Sequence, residues 1–309
     1  MSRMAVLFAL VGAGSISIGA AAYQAQPKPA VREIQKVRDN LYFISGGDTN
    51  ERPTWTGGNV AVFVTAQGVV MVDSMLPGNG ATLLQRIKSV TDKPVIMLIN
   101  THTHFDHSGS NNELPASIEF VAHENTKANM AKAACAPVTN CAAFKGDNAK
   151  FLPKRTFKDT LSLFSGKDQI NLYYFGRGHT SGDTWVVFPA VRAMHTGDMF
   201  PRKHMPFIDV PDSGGSAVEF NTTLKKAVGS IKNVDTVIGG HTPTVVTWND
   251  FKEYTDFYDD FFNSVQAGLK AGKSAADLVS GYKVPAKFKD FPADPARVKA
   301  NVEAIAAGK

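Results

Sequence analysis

The chain has 309 residues, of which 43% are hydrophobic and 20% charged, a balance that excludes a disordered chain and is typical of a globular protein with a sizeable core. The formal net charge of +5 comes from basic and acidic residues that are scattered along the sequence. Because no stretch gathers basic residues with interleaved aromatic ones, we do not expect nucleic acid as a partner.

The first residues have the pattern of a secretory signal peptide. Arg3 precedes an uncharged apolar run that begins at Met4, and small residues stand at Ala20 and Ala22. The small residues at the end of the run favour a cleaved signal peptide over residues 1–22, the alternative being a retained membrane anchor. The mature protein is therefore expected to be exported, to the periplasm, without a stable membrane span.

Two further predictions concern the chain beyond the signal peptide. Residues 23–40 are predicted to form a linker and N-terminal segment, and residues 41–309 a single domain. Outside the reducing cytoplasm, Cys135 and Cys141 are expected to form a local disulfide, with two free thiols as the alternative.

In chain order, apolar patterns predict strands at residues 41–45, 59–65, 68–74, 95–100, 117–123, 169–176, 183–189, 191–198 and 234–240. Helical spacing predicts helices at 79–90, 124–134, 216–231, 249–272 and from Asp294 onward. The helix at 249–272 carries aromatic residues at helical spacing, which we interpret as core packing. Strands outnumber helices in each half, so we expect two sheets packed face to face with helices on both outer faces.

The most informative stretch is "INTHTHFDHSGS", which comes directly after an apolar strand. His102 and His104 are two positions apart, so on an extended strand end they point to the same side. Asp106 and His107 come next, where the chain turns. Neutral imidazole and carboxylate are ligands of divalent zinc, and a bound cation would remove the repulsion between neighbouring imidazoles. The stretch therefore predicts a metal site.

Three later residues occupy the ends of other predicted strands in the same way. His179, Asp198 and His241 each come after a strand and have glycine close by, which allows a close approach of backbone and ligand. Because ligand sites in α/β layers collect at the carboxyl ends of strands, these residues are expected to share an edge with the first cluster.

The motif "HTHFDH", with Asp73 in "VVMVDS" before it and the three later residues after it, resembles the five-motif signature of the metallo-β-lactamase superfamily. The resemblance spans about residues 41–241. It implies an α/β fold, namely an αββα sandwich of two mixed sheets with helices on both outer faces and a binuclear metal site at one edge.

The resemblance also implies two divalent cations with these ligands: His102, His104 and His179 for the first, Asp106, His107 and His241 for the second, and Asp198 bridging. Asp73 would brace the ligand loop through hydrogen bonds, an interpretation that competes with a plain turn cap. Zinc is the expected metal, with manganese and iron left open.

Two departures from family patterns narrow the branch of the superfamily that the sequence is expected to belong to. No cysteine stands at the position of Asp198, so the cysteine-ligand lactamases are not indicated, and the pattern resembles the branch of thioesterases, lactonases and phosphodiesterases. His104 occupies a position that holds glutamate in flavodiiron proteins, which argues against an iron redox centre.

The resemblance implies a hydrolase in which a metal-bridging hydroxide attacks the carbonyl of a small-molecule β-lactam, lactone or other ester, with Asp106 accepting a proton. The alternatives are a phosphodiesterase or nuclease of the same fold, and a non-catalytic metal-binding protein. Trp55, on the loop before the hairpin at 66–68, is a candidate substrate contact, the alternative being an ordinary exposed aromatic. The sequence leaves the oligomeric state open.

Overall fold

A computed structural model describes residues 29–51 and 53–309. The predicted signal peptide, residues 1–22, lies outside the described residues. Within the described part, no helix combines the length and apolar character needed to cross a membrane.

Among the described residues, the first sheet has seven strands that neighbour one another in chain order. They are β1 (Gln35–Lys36), β2 (Leu41–Ile44), β3 (Val60–Val64), β4 (Val69–Val72), β5 (Val95–Ile99), β6 (Glu119–His123) and β7 (Arg155–Phe157). Pairing is antiparallel from β1 to β4 and parallel from β4 to β7, so the sheet is mixed.

The second sheet has six strands in the described part of the chain, again in sequential order. They are β8 (Thr160–Leu163), β9 (Ile170–Tyr173), β10 (Trp185–Phe188), β11 (Ala193–His195), β12 (Thr236–Ile238) and β13 (Val246–Thr247). Only the β11–β12 pair is parallel among these strands. Each sheet is therefore built from one continuous half of the chain.

The helices are α1 (Gly80–Lys88), α2 (Phe105–Ser108), α3 (Glu124–Met130), α4 (Val210–Ser213), α5 (Ala217–Ser230), α6 (Trp248–Lys270), α7 (Ala275–Gly281) and α8 (Pro295–Ala306). Local chemistry fixes where several of them begin. Thr247 and Asp250 form a reciprocal capping box at the start of α6. Asp294 accepts hydrogen bonds from the first turn of α8, directly before Pro295.

The two sheets pack face to face because their inward-facing residues are apolar. Phe43, Phe63 and Val72 of the first sheet lie in one buried cluster with Phe188 and Ile238 of the second. The rings of Phe63 and Phe188 lie 4.9 Å apart across this layer. The residues between them in sequence point outward, as the two-residue period of a strand requires.

Helices cover both outer faces. Leu83 and Ile87 of α1 pack in one cluster with outward residues of the first sheet. Helices α5, α6 and α8 cover the second sheet, and the predicted stripe of α6, made of four aromatic residues and one valine, is buried there: Phe251, Tyr254, Phe257, Phe261 and Val265. The αββα arrangement expected from the sequence is confirmed, and so is the Cys135–Cys141 disulfide, whose Cα atoms are 5.5 Å apart.

Candidate metal centre

The predicted site residues meet at one edge of the sandwich because each comes after the end of a strand. The stretch from His102 to His107 begins after β5 and runs into α2. His179 comes after β9, Asp198 after β11 and His241 after β12. The carboxyl ends of these strands lie at the same edge, which brings residues from both sheets together.

The first group consists of His102, His104 and His179. Their ligand atoms all lie within 4.8 Å of one another, and the rings are 1%, 3% and 1% exposed. His104 Nδ1 lies 2.9 Å from His179 Nε2. Two ring nitrogens at this distance repel each other if both carry lone pairs that point into the gap. A proton or a cation between the two nitrogens removes that repulsion.

The opposite nitrogen of each of these rings has its own partner. His102 Nδ1 lies 3.0 Å from the Thr101 hydroxyl, and His104 Nε2 lies 3.0 Å from Asp209 Oδ2. His179 Nδ1 lies 2.7 Å from the Phe207 carbonyl oxygen. A carboxylate or carbonyl oxygen accepts a ring N–H, which fixes the tautomer and leaves the other nitrogen of the ring as a potential metal ligand.

The second group consists of Asp106, His107 and His241, whose ligand atoms also lie within 4.8 Å of one another. His241 Nε2 is 3.3 Å from both His107 Nε2 and Asp106 Oδ2. Asp198 lies between the two groups. Its carboxylate oxygens are 3.3 Å from His107 Nε2, 3.2 Å from His241 Nε2 and 3.7 Å from His179 Nε2.

Asp73 lies behind the second group and is fully buried. Its Oδ2 accepts a hydrogen bond from His107 Nδ1 at 2.7 Å and one from the Thr101 hydroxyl at 2.7 Å. Its Oδ1 accepts from the Thr101 backbone N–H. These contacts tie the end of β4 to the histidine loop.

The electrostatics differ between the two groups. Burial and the neighbouring imidazoles lower the pKa of His102 well below its usual value and that of His179 to about 4. At neutral pH these two rings are therefore uncharged, which is the form that binds a metal.

In the second group, burial opposes charge but the carboxylates outweigh it. They raise the pKa of His241 to about 9 and that of His107 well above its usual value. Burial raises the pKa of Asp198, but the charges of His241 and His107 bring it far below its ordinary range. Clustered carboxylates thus require positive charge here, which protons on the histidines or a cation can provide.

Two glycines allow this close packing. A Cβ on Gly58 would overlap the His107 ring, and one on Gly240 would overlap Asp198 Oδ1. The backbone of each residue therefore passes directly against a predicted ligand.

The donor set fits divalent metal ions. His102 Nε2 is buried without a hydrogen-bond partner among the described residues, and it faces the other two histidines of its group. Buried polar atoms are rarely left unsatisfied, so a buried imidazole nitrogen without a hydrogen-bond partner, beside two other imidazoles, fits the role of a metal ligand. Imidazole and carboxylate donors suit zinc, and the absence of thiolate from these groups is no obstacle.

A cleft of about 170 Å³ opens over both groups and is lined by Asp106, Asp198, His241 and Trp55, among others. Trp55 is only 7% exposed, so the alternative of an ordinary exposed aromatic is wrong. Its ring packs 6.3 Å from the rings of both Phe105 and His241. Trp55 therefore forms part of the wall beside the second group.

Sequence reasoning missed the residues that orient the first group. Asp209 and Phe207 lie in a loop rich in Pro and Gly whose composition indicates only irregular structure. Asp209 is 1% exposed and reaches His104 from 105 positions away in the sequence. A single aspartate in such a loop carries no pattern, so only the three-dimensional contact identifies it.

The sequence profile of the metallo-beta-lactamase superfamily matches residues 53–279. The chain belongs to this superfamily and is a hydrolase of it, with groups of His and Asp that can hold metal ions.

The chain is 28% identical over 241 residues to a protein named metallo-beta-lactamase type 2 from Elizabethkingia meningoseptica, an alignment that covers 74% of this chain and 83% of that protein. It is 26% identical over 196 residues to a probable metallo-hydrolase of Streptococcus pyogenes, covering 61% of this chain and 80% of that one.

Solved structures show the same fold. The DIM-1 metallo-beta-lactamase superposes with a TM-score of 0.57 at 19% identity, covering 75% of this chain and 99% of its own. A sec-alkylsulfatase from Pseudomonas sp. superposes with a TM-score of 0.66 at 13% identity, covering 89% of this chain and 49% of its own.

Proposed function

We propose that this protein is a binuclear, zinc-dependent hydrolase that cleaves a small-molecule carbonyl substrate, namely a β-lactam, a lactone or another ester. The observation that carries the proposal is the pair of three-residue groups with Asp198 between them, open to one cleft. A storage site would be closed on all sides, whereas an open face leaves room for water and substrate.

In this proposal His102, His104 and His179 hold one cation, Asp106, His107 and His241 hold the other, and Asp198 contacts both. Two divalent cations there would supply a water-derived nucleophile at neutral pH and positive charge for the oxyanion formed when a carbonyl is attacked. Asp73 and Asp209 would hold His107 and His104 in the tautomers that binding requires.

Asp106 would also transfer the proton of the attacking water. Burial raises the pKa of Asp106, but the charges of His107 and His241 bring it to about 2, so the carboxylate is ionised at neutral pH. Asp106 lines the cleft, and one of its oxygens would accept a proton from the attacking water and deliver it to the leaving group. Trp55, on the neighbouring wall, would contact the substrate.

Several accompanying predictions belong to the same proposal. Residues 41–309 would act as one hydrolase domain, exported to the periplasm after removal of residues 1–22. The disulfide supports an oxidising compartment. The relative named metallo-beta-lactamase type 2 makes a β-lactam the first substrate to test.

The direct experiment loads the mature protein with two equivalents of zinc and measures hydrolysis of nitrocefin, homoserine lactones, a nitrophenyl ester, a thioester and bis-nitrophenyl phosphate. We expect turnover of at least one carbonyl substrate, abolished by a chelator and restored by zinc. Hydrolysis of the phosphate diester alone would contradict carbonyl cleavage and favour a phosphodiesterase. Full metal loading without any turnover would favour a non-catalytic metal protein.

A further inference from the structure

A second, largely apolar groove of about 230 Å³ adjoins the metal cleft. One side is formed by residues 206–208, and the other by Ala296, Ala300 and Ala304, which are spaced four apart on α8. Small side chains at this spacing leave a continuous channel along the helix face. Helix α8 lies beyond residues 53–279, so the family profile does not describe this wall.

Phe207 separates this groove from the first metal group by the thickness of one ring. Its ring centroid lies 6.1 Å from that of His104 and 5.8 Å from that of His179. Phe207 is 43% exposed, and among the described residues it is the only large hydrophobic side chain that is exposed. It borders both the cleft and the groove, so a molecule bound at the cleft can continue past it without leaving the protein surface.

Arg297 is the other residue that borders both spaces. Its guanidinium lies over the Phe207 ring, 5.8 Å from the centroid. Among the described residues, no carboxylate forms an ion pair with Arg297, whereas Arg38, Arg177 and Arg202 all have one. A half-buried guanidinium without an anionic partner, at the junction of an apolar groove and a metal cleft, is suited to bind an anion of the ligand.

We infer that the substrate is an anionic amphiphile whose apolar chain lies in the groove between residues 206–208 and α8, while Arg297 pairs with its carboxylate or other anionic group. This inference rests on the proposed function, because the chain extends from a group bound over the metal cleft. The occupant is a small molecule and not a protein segment, since the groove is continuous with the cleft through Phe207 and Arg297.

The groove is tested by the chain-length dependence of binding. Isothermal titration of the zinc-loaded full chain with acetate, butyrate, hexanoate and octanoate keeps the carboxylate constant while the alkyl chain grows. We expect affinity to rise by up to about fourfold per methylene that enters the groove. Ala300→Trp, which fills the groove from an exposed position, should abolish that rise and leave acetate binding unchanged. Ala296→Trp serves as a second variant with the same expected result.

The matched control is Ala306→Trp, an exposed position on the same helix outside the groove, which should keep the wild-type dependence. For the charge, Arg297→Gln should weaken octanoate binding about tenfold or more and leave 1-octanol binding unchanged, with Arg297→Lys in between. A flat chain-length series in wild type, a rise that persists in folded Ala300→Trp and Ala296→Trp, or wild-type octanoate affinity in Arg297→Gln would each overturn the inference.

These titrations do not depend on turnover, so the two proposals can fail separately. If the acids bind as expected but no carbonyl substrate is hydrolysed, the proposed function fails. If esters are hydrolysed with no effect of chain length on binding, only this inference fails.

Discussion

At the scale of single residues, the candidate centre includes carboxylates that contact the predicted metal-binding histidines on the side of the ring away from the site. Asp209 contacts His104 Nε2, and the same aspartate caps α4 by accepting from the Asp212 N–H. Asparagine is also a good cap, so Asp209→Asn separates the two roles. It keeps the cap and removes the negative charge that orients His104.

We expect Asp209→Asn to weaken zinc binding at one of the two sites by about 10- to 100-fold, measured by competition with a chelator of known affinity. The control is Asp212→Asn, on the same short helix, which should bind zinc as wild type does. Equal zinc affinity in both variants would show that Asp209 does not position the ligand.

Asp106→Asn tests the proposed proton transfer. The amide retains an oxygen ligand but cannot accept a proton, so we expect the variant to keep at least one equivalent of zinc and to lose about 10²- to 10⁴-fold in kcat. Asp92→Asn, at an exposed position, is the control. Unimpaired turnover by metal-loaded Asp106→Asn would refute the proton role.

A substitution at Gly240 tests whether the backbone at this position must approach Asp198 closely. In Gly240→Ala the new methyl group displaces the Asp198 carboxylate, so we expect lower zinc content by elemental analysis and a matching loss of activity. Gly229→Ala, on α5 where a Cβ meets no neighbour, should bind zinc normally. It should also gain stability of about 0.5–1 kcal/mol from helix propensity. Normal zinc content in Gly240→Ala would mean that Asp198 can move without consequence.

At the scale of elements, the sequence predicts best where burial imposes a period. Helix α6 has the period of a helix with one buried face, and strands buried on both faces, such as β3 and β4, appear where short continuous apolar runs place them. The short strands β7 and β8 were not predicted. Arg155 and Thr156 of β7 are exposed, and in β8 only two leucines, Leu161 and Leu163, alternate with polar residues, too few to mark a strand. Backbone pairing with a neighbouring strand creates such edge strands, and that pairing has no local sequence signal.

The same limit applies to the site. The seven proposed ligands could be predicted because strand ends and glycines mark them. Asp209 and Phe207, which contact two of these histidines, and Arg297, which borders the cleft, lie in irregular or helical segments without such marks. Trp55 lies on the predicted loop, but its burial against Phe105 depends on how that loop folds over α2. Side chains that reach a site from distant parts of the sequence can be identified only from tertiary contacts, which leave no local sequence pattern.

The disulfide stabilises one wall of the cleft. It closes the loop that carries Val138, which lines the cleft, and Thr139, whose carbonyl accepts from the Thr103 hydroxyl. Replacing both cysteines with serine should lower the free energy of unfolding by about 2 kcal/mol, because the unfolded chain regains the entropy of that loop. Denaturant titration measures the loss, and reduced wild type should match the variant. Equal stability of the variant and oxidised wild type would contradict this.

At the scale of the whole molecule, buried neutral histidine makes stability depend on pH. His123 is 1% exposed and stacks on Tyr174, with ring centroids 3.9 Å apart. Burial lowers the pKa of His123 from its ordinary value of 6.5, so as the pH falls below about 6.5 the unfolded chain takes up a proton before the folded chain does. Stability contributed by neutral His123 is therefore present above pH 6.5 and lost as the pH falls toward the folded pKa.

We expect the free energy of unfolding to rise with pH immediately below pH 6.5, and His123→Gln to reduce the slope there by up to about 1.4 kcal/mol per pH unit. Denaturant titrations of zinc-loaded protein at several pH values measure it. The two proteins should have the same slope near pH 8, which serves as the internal control. An unchanged slope below pH 6.5 would show that His123 takes up its proton in the folded state.

The origin of the two sheets from successive halves of the chain has a consequence for folding. His102, His104, Asp106 and His107 come from the earlier half, and His179, Asp198 and His241 from the later one. Each three-residue group draws on both, so a chain in which only the first sheet has formed can complete neither. Metal binding at either group would therefore require that both halves of the chain have folded and docked.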